Sequence, residues 1–285
     1  MQRLGQHFLK NTAVVHKIIA ALDLQSGETV IEIGPGKGAL TLPLVRQCQM
    51  PNFKCQIVAV EKDKTLAGLL TNTFPQIKII EGDILKILPK LVIDLKLSPC
   101  ERCPEGTEIG NWKLLGNIPY YITGKLLRTI SELNIKPSRT VLMIQKEVAE
   151  RLTATPGKMN LLAAAVQVWA DVSVIARLKP EDFDPPPKVE SAVIRIETKK
   201  QESPPTGDLP QGDKKTSELA AYYKLIHAAF KQPRKTLLNN LSEGFGLPKN
   251  EVLTSLQSFG FTEKTRAQEL GVEALSMLSK TLQVL

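Results

Sequence analysis

Val30-Ile31-Glu32-Ile33-Gly34-Pro35-Gly36-Lys37-Gly38 is the stretch that decides the fold. A short, β-branched run ends in a glycine-rich turn, and Ala39 to Val45 then reads as the start of a helix. Glycines at a first strand–helix junction let the backbone come close to a ligand. The glycine spacing alone is a weak signal. A phosphate-cradling P-loop is excluded, because no Gly-Lys-Ser/Thr follows at the required offset. The glycines leave a dinucleotide site open, but Glu32 argues against one. A carboxylate beside the turn repels a pyrophosphate and suits a ligand with a positive end.

Downstream, Ile57-Val58-Ala59-Val60-Glu61 is a second apolar strand that ends in an acid. Its distance from the loop is roughly the 20 residues expected of an acid that binds ribose hydroxyls. A third strand, Ile77-Lys78-Ile79-Ile80-Glu81-Gly82-Asp83, ends in Asp83, which can accept a hydrogen bond from an adenine amino group. S-adenosylmethionine has a sulfonium, an ammonium and no phosphate, and so fits Glu32, Gly34, Gly36, Glu61 and Asp83 as a set. The plain alternative for Glu61 and Asp83 is a solvated strand end or a helix N-cap.

Gly116-Asn117-Ile118-Pro119-Tyr120-Tyr121 follows an apolar run from Trp112 to Leu115 and falls at the carboxyl end of a strand. Ligands of open α/β sheets bind there. The side-chain oxygen of Asn117 and the carbonyl of Ile118 can accept the two hydrogens of an exocyclic amino group. Pro119 fixes the backbone, and Tyr120 offers a stacking face. No metal and no general base are needed if the methyl donor is already a sulfonium.

The remaining chain alternates strands and helices, which argues a doubly wound, Rossmann-like α/β sheet. Residues 1–10 read as a basic, non-periodic arm, and residues 12–22 as a helix capped by Asn11 or Thr12. Residues 189–196 alternate in polarity, as in an edge or antiparallel strand. Residues 198–216, rich in proline, glycine and charge, read as a linker. Residues 217–285 show only helical spacing and form a small all-helical domain. The expected division is therefore a domain over 1–197, the linker 198–216 and a helical RNA-binding domain over 217–285. With the sheet complete by Ile196, a chain ending near Lys200 is expected to fold and to bind cofactor.

The net charge of +8 favours a polyanionic partner, nucleic acid first. No signal peptide and no run of about 18 apolar residues is evident, so no membrane span is expected and a cytoplasmic location fits. Cys100 and Cys103 have C-x-x-C spacing with no second pair to complete a zinc site. Cys48 and Cys55 are too loosely spaced to supply it, so the cysteines read as structural or incidental thiols. Nothing requires an oligomer, and a monomer is expected.

Taken in order, these motifs resemble the ribosomal RNA adenine dimethyltransferases that act near the 3′ end of small-subunit rRNA. The resemblance begins at Leu4-Gly5-Gln6-His7-Phe8-Leu9 and runs through the glycine loop, Asn117 to Tyr120 and Gln145-Lys146-Glu147-Val148. It continues through Phe183-Asp184-Pro185-Pro186-Pro187-Lys188-Val189-Glu190-Ser191, then Arg234-Lys235-Thr236-Leu237 and Thr265-Arg266-Ala267. The resemblance implies a methyltransferase sheet and transfer of two methyl groups from S-adenosylmethionine to each of two adjacent adenines. It places His7, Leu9 and Asn117 beside the cofactor and Phe183 on the second face of the adenine. The substrate it implies is rRNA within an immature small subunit, held by Arg3, Lys10, Arg234 and Lys235. The chain departs from the family's usual residues at His7 and Tyr121 (asparagine in both), at Pro233 (arginine), and by an insertion over about 96–111. Two other readings are an antibiotic-resistance methyltransferase acting on large-subunit rRNA and a catalytically weak RNA-binding assembly factor. A nicotinamide dehydrogenase is disfavoured by Glu32 and by the Asn-Ile-Pro-Tyr strand end.

Overall fold

The computed structural model describes residues 7–97, 109–199 and 212–282. It divides into two units, one from Met1–Ala149 and Ala170–Ser203, the other from Glu150–Trp169 and Pro204–Leu285.

In the first unit, chain order gives β1 (Phe8–Leu9), α1 (Thr12–Leu22), β2 (Thr29–Ile33), α2 (Thr41–Cys48), β3 (Gln56–Glu61), α3 (Lys64–Thr73), β4 (Lys78–Glu81), α4 (Ile84–Asp94), β5 (Ile109–Asn117), α5 (Thr123–Ser131) and β6 (Lys136–Gln145). Helix α6 (Lys146–Leu152) follows, and after α7 (Leu161–Gln167) come β7 (Ala170–Leu178), β8 (Phe183–Asp184) and β9 (Ser191–Thr198). The sheet order is β4-β3-β2-β5-β6-β9-β7. Strands β2 to β6 are parallel, and β9 is antiparallel to both β6 and β7. All five residues of β2 are buried, as expected of a central parallel strand covered on both faces. The chain leaves β2 for β3 and β4 on one side and returns to β5 on the other. That reversal opens a crevice at the strands' carboxyl ends.

Local chemistry sets the helix starts. Asn11 Oδ1 accepts from Val14 N at 3.2 Å, and Asp63 Oδ1 from Thr65 N at 2.8 Å. These bonds satisfy amides that have no partner within their own helix.

Several expectations are corrected. Residues 1–10 are not wholly an irregular arm: Phe8 pairs with Asp184 and Leu9 with Phe183, and Lys10 N donates to Asp182 O at 2.9 Å. A two-residue strand is too short to show a period. Of the two alternatives for residues 189–196, the antiparallel one holds: β9 is antiparallel and lies inside the sheet, with β7 and β4 at its edges. Cys48 and Cys55 are not separate thiols: they form a disulfide across the α2–β3 connection, with Cα atoms 5.3 Å apart. Cys100, Cys103 and most of the insertion lie outside the described residues.

The second unit contains α7 with α8 (Gly212–Ala229), α9 (Leu237–Phe245), α10 (Lys249–Ser258) and α11 (Val272–Thr281). Helix α8 starts inside the expected linker 198–216, where Asp213, Lys214 and Lys215 show no apolar period. Residues 200–211 lie outside the described part. The expected domain over 1–197 also loses Glu150–Trp169 to the helical unit. The reason is packing: Met159, Ala163 and Ala164 share one core with Tyr222, Leu225, Ile226 and Leu275. Tyr222 Oη donates to Ala164 O at 3.0 Å, and Gly157 N donates to Gln268 O at 2.8 Å.

Ending the chain after Lys200 would strip the cover from Met159, Ala163 and Ala164. The truncated protein should melt several degrees lower than the full chain and bind a hydrophobic dye. Melting at the full-length temperature with no dye binding would contradict this division of the core.

Candidate active site

The carboxyl ends of β2, β3 and β5 and the start of α4 enclose a cavity of about 440 Å³. That is within the range of small-molecule sites, roughly 300–1,000 Å³. Its lining includes His7, Leu9, Glu32, Gly34, Gly36, Glu61, Asp83, Asn117, Ile118, Pro119 and Phe183. The cofactor candidates read from the sequence therefore converge on one cavity, together with four of the five catalytic candidates. The side chain of the fifth, Tyr120, lies outside the described part, and its backbone opens a 3-10 turn over Tyr120–Ile122.

Glycine is favoured at both loop positions by conformation, and at Gly36 also by space. Gly34 and Gly36 have φ of +61° and +59°. A Cβ on Gly36 would sit 3.0 Å from the Phe8 ring, and one on Gly34 would sit 3.5 Å from Asn117 O. Glu61 holds the loop from the next strand. Its Oε2 accepts from Gly36 N at 3.0 Å and its Oε1 from Asp63 N at 2.9 Å, and the residue is 4% exposed. Each oxygen keeps a further lone pair for a hydroxyl donor.

Glu32 is 1% exposed, and its Oε2 accepts from Thr41 Oγ1 at 2.8 Å. Burial pushes its carboxyl up to about 7; the Thr41 bond opposes the shift and the Glu61 charge adds to it. A cation in the cavity would restore the charged form. Asp83 behaves differently. Burial favours its neutral form, but Lys62 at 3.1 Å, the Leu85 N–H and the charges of Lys62 and Lys86 together hold it below the usual carboxylate range. Asp83 is also the N-cap of α4, so it lines the cavity and serves a structural role at once.

Asn117 ends β5 half-buried, and its Nδ2 donates to His7 O at 3.0 Å. That bond fixes the amide and turns Oδ1 to the opposite side. His7 Nδ1 lies 2.7 Å from Pro185 O. A carbonyl can only accept, so Nδ1 carries the proton. These two bonds and the β1–β8 pairing tie the amino-terminal strand to the cavity wall.

The sequence reading missed Phe8 and Lys62, which line the cavity, and Lys37, whose Nζ sits 4.6 Å from the centre of the Phe8 ring. A lysine directly after Gly36 and after Glu61 was the available signal, but it resembles any solvated charge. Among the RNA-contact candidates, Lys10, Arg234 and Lys235 are exposed, and Arg3 lies outside the described residues. Arg234 and Lys235 do not open a helix. They precede Thr236, which caps α9, and Lys235 Nζ pairs with Glu243 at 3.0 Å.

A family model described as ribosomal RNA adenine dimethylase matches residues 1–283. The chain belongs to the ribosomal RNA adenine dimethylase family. A "Ribosomal RNA small subunit methyltransferase A" of Dehalococcoides mccartyi is 37% identical over 278 residues, covering 96% of this chain and 86% of that protein. One of the same name from Halothermothrix orenii is 34% identical, covering 98% and 87%. Two solved structures align over nearly all of the chain. A dimethyladenosine transferase from Plasmodium falciparum has a TM-score of 0.70 at 22% identity, covering 95% of this chain and 96% of its own. The 23S rRNA methyltransferase ErmE has a TM-score of 0.68 at 21% identity, covering 97% and 99%. At these identities the two structures speak to the fold alone.

Glu32 gives this dimethylase a signature in pH. Its folded-state value is above the ordinary 4.5, so its contribution to stability is fully present below pH 4.5 and lost as pH rises through about 7. Replacing Glu32 with glutamine keeps an acceptor for Thr41 and removes the titration. In chemical denaturation at pH 8, Glu32→Gln should be more stable than the wild type by up to about 3 kcal/mol, and the gain should vanish near pH 4. Equal stabilities at both pH values would contradict the buried, raised carboxyl.

Proposed function

We propose that this chain dimethylates the exocyclic amino groups of two adjacent adenines near the 3′ end of small-subunit rRNA, with S-adenosylmethionine as methyl donor, during ribosome assembly in the cytoplasm. The observation that supports this best is the fixed amide of Asn117 at the cavity's edge. Its Nδ2 is occupied by His7 O, leaving Oδ1 to accept.

The cofactor supplies a methyl group already activated by a sulfonium. The acidic lining fits such a group: Glu32 is buried with its carboxyl pushed up by burial, and Glu61 keeps lone pairs free. Glu61 would take the ribose hydroxyls, Asp83 the adenine amino group, and His7, Leu9, Gly34 and Gly36 would line the rest. Adenine's amino nitrogen is a poor nucleophile because its lone pair is shared with the ring. Asn117 Oδ1 and Ile118 O would accept its two hydrogens, localise the lone pair and aim it. Pro119 would hold that backbone. Phe183, 2% exposed and lining the cavity, and Tyr120 would stack on the base. Stacking is worth about 1–3 kcal/mol per base, comparable with the few kcal/mol needed to extrude it. The chain's part is positioning and electrostatics. Lys10, Arg234 and Lys235 would hold the RNA through its phosphates. A monomer without metal suffices for this chemistry.

On unmethylated small subunits, the wild type should yield dimethyladenine at two adjacent positions. Asn117→Ala should lower turnover about a hundredfold or more at saturating cofactor and RNA. Wild-type turnover in that variant would exclude the role of Asn117, and methylation mapped to the large subunit would favour the resistance-type reading.

Glu61→Gln removes the charge and, because an amide has one acceptor oxygen, also one of the two backbone bonds that anchor the loop. Calorimetry should show weaker S-adenosylmethionine binding, by about tenfold, with RNA affinity unchanged. Unchanged cofactor affinity would remove Glu61 from the cofactor site.

A further inference from the structure

We infer that Tyr121 is a stacking platform for the nucleotide beside the target adenine; this rests on the function proposed above and goes beyond it by naming a residue that handles the neighbouring base. Tyr121 lines the cavity, yet it is 67% exposed. It therefore stands at the rim, with one part towards the cavity and most of its surface towards solvent. Its position is firm: it is the middle residue of the 3-10 turn Tyr120–Ile122, closed by Ile122 N donating to Pro119 O at 3.1 Å. A narrowed pocket wall, the simplest effect of a bulky residue here, does not fit so exposed a ring.

A cavity of about 440 Å³ that also takes a cofactor has room for one target base at a time. When two adjacent adenines are modified in turn, the second waits at the mouth while the first is inside. Extruding the first base also removes a stacking partner from its neighbour. An aromatic ring at the rim can replace that partner, and it accepts any base because every base has a π-face. Lys62 lines the same cavity and is exposed, with one of its three N–H donors used on Asp83 at 3.1 Å. Its ammonium is held above the ordinary lysine range by the Asp83 hydrogen bond, then by the Asp83 charge, with a smaller contribution from the Tyr121 phenol, and both side chains line the same cavity. A ring with a cation close by suits a stacked base with its phosphate.

The test is methylation kinetics on unmethylated small subunits with the wild type, Tyr121→Ala and Tyr121→Phe. Cofactor binding to each variant reports that it is folded. Tyr121→Ala should raise KM for the subunit about tenfold, within the range expected for one stacked base. Cofactor affinity should stay at the wild-type value. Tyr121→Phe, which keeps the ring, should restore the wild-type KM. Reconstituted subunits with uracil beside the target, a weaker stacker, should raise KM for the wild type and leave Tyr121→Ala unaffected. An active Tyr121→Ala with wild-type KM, or a Tyr121→Phe as weak as alanine, overturns the platform alone. A wild type that transfers no methyl group to the subunit overturns the proposed function and this inference with it.

Discussion

Two carboxylates brought together at the ends of adjacent parallel strands are the constraint on which the site depends. Glu32 lies in β2, Glu61 ends β3, and both are almost fully buried. Burial disfavours a charge on Glu32 first, and the neighbouring Glu61 adds to that. The chain treats them differently. Glu61 receives two backbone N–H groups, whereas Glu32 receives one hydroxyl and is pushed towards its neutral form. The bond from Gly36 N to Glu61 also shapes the loop, so the acid that would take part of the ligand is the acid that holds the glycine turn. A ligand with a positive end relieves this strain; a pyrophosphate would aggravate it.

The second link is the amino-terminal strand. Phe8 packs against the place where Gly36 has no side chain, and the His7 carbonyl takes up one half of the Asn117 amide. The glycine loop, the amino-terminal strand and the Asn117 amide are thereby joined by a few short contacts. The pairing of Phe8–Leu9 with Phe183–Asp184 brings Phe183 to the same wall. Residues more than 170 positions apart in the chain thus line one cavity.

Much of this was legible in the sequence because it repeats or punctuates. The β-branched run before Gly34, Glu61 closing the next strand and Asn11 before α1 are local signals, and each lies where it was read, whereas β4 stops at Glu81 and Asp83 lies two residues beyond it. What was not legible is non-local or too short. Strand β1 has two residues and exists through its partner. Residues 150–169 look like a continuation of the α/β pattern, but the helical unit supplies the apolar surface they bury. Lys62 and Phe8 came to line the cavity through folding alone, while Asp83 combines the two readings the sequence offered, a helix cap and a cavity wall. The polar first turn of α8 concealed its start, since only apolar residues carry the period.

The proton balance of cofactor binding tests the buried acid pair most directly. Calorimetry of S-adenosylmethionine binding in buffers of different ionisation enthalpy counts the protons released. With Glu32 near 7 in the free protein, a bound cation should drive out a substantial fraction of a proton at neutral pH, falling towards zero at pH 9. Glu32→Gln should bind without that release. Binding by the wild type with no release at any pH between 6 and 9, or release that persists in Glu32→Gln, would contradict a cofactor site organised around this carboxyl pair.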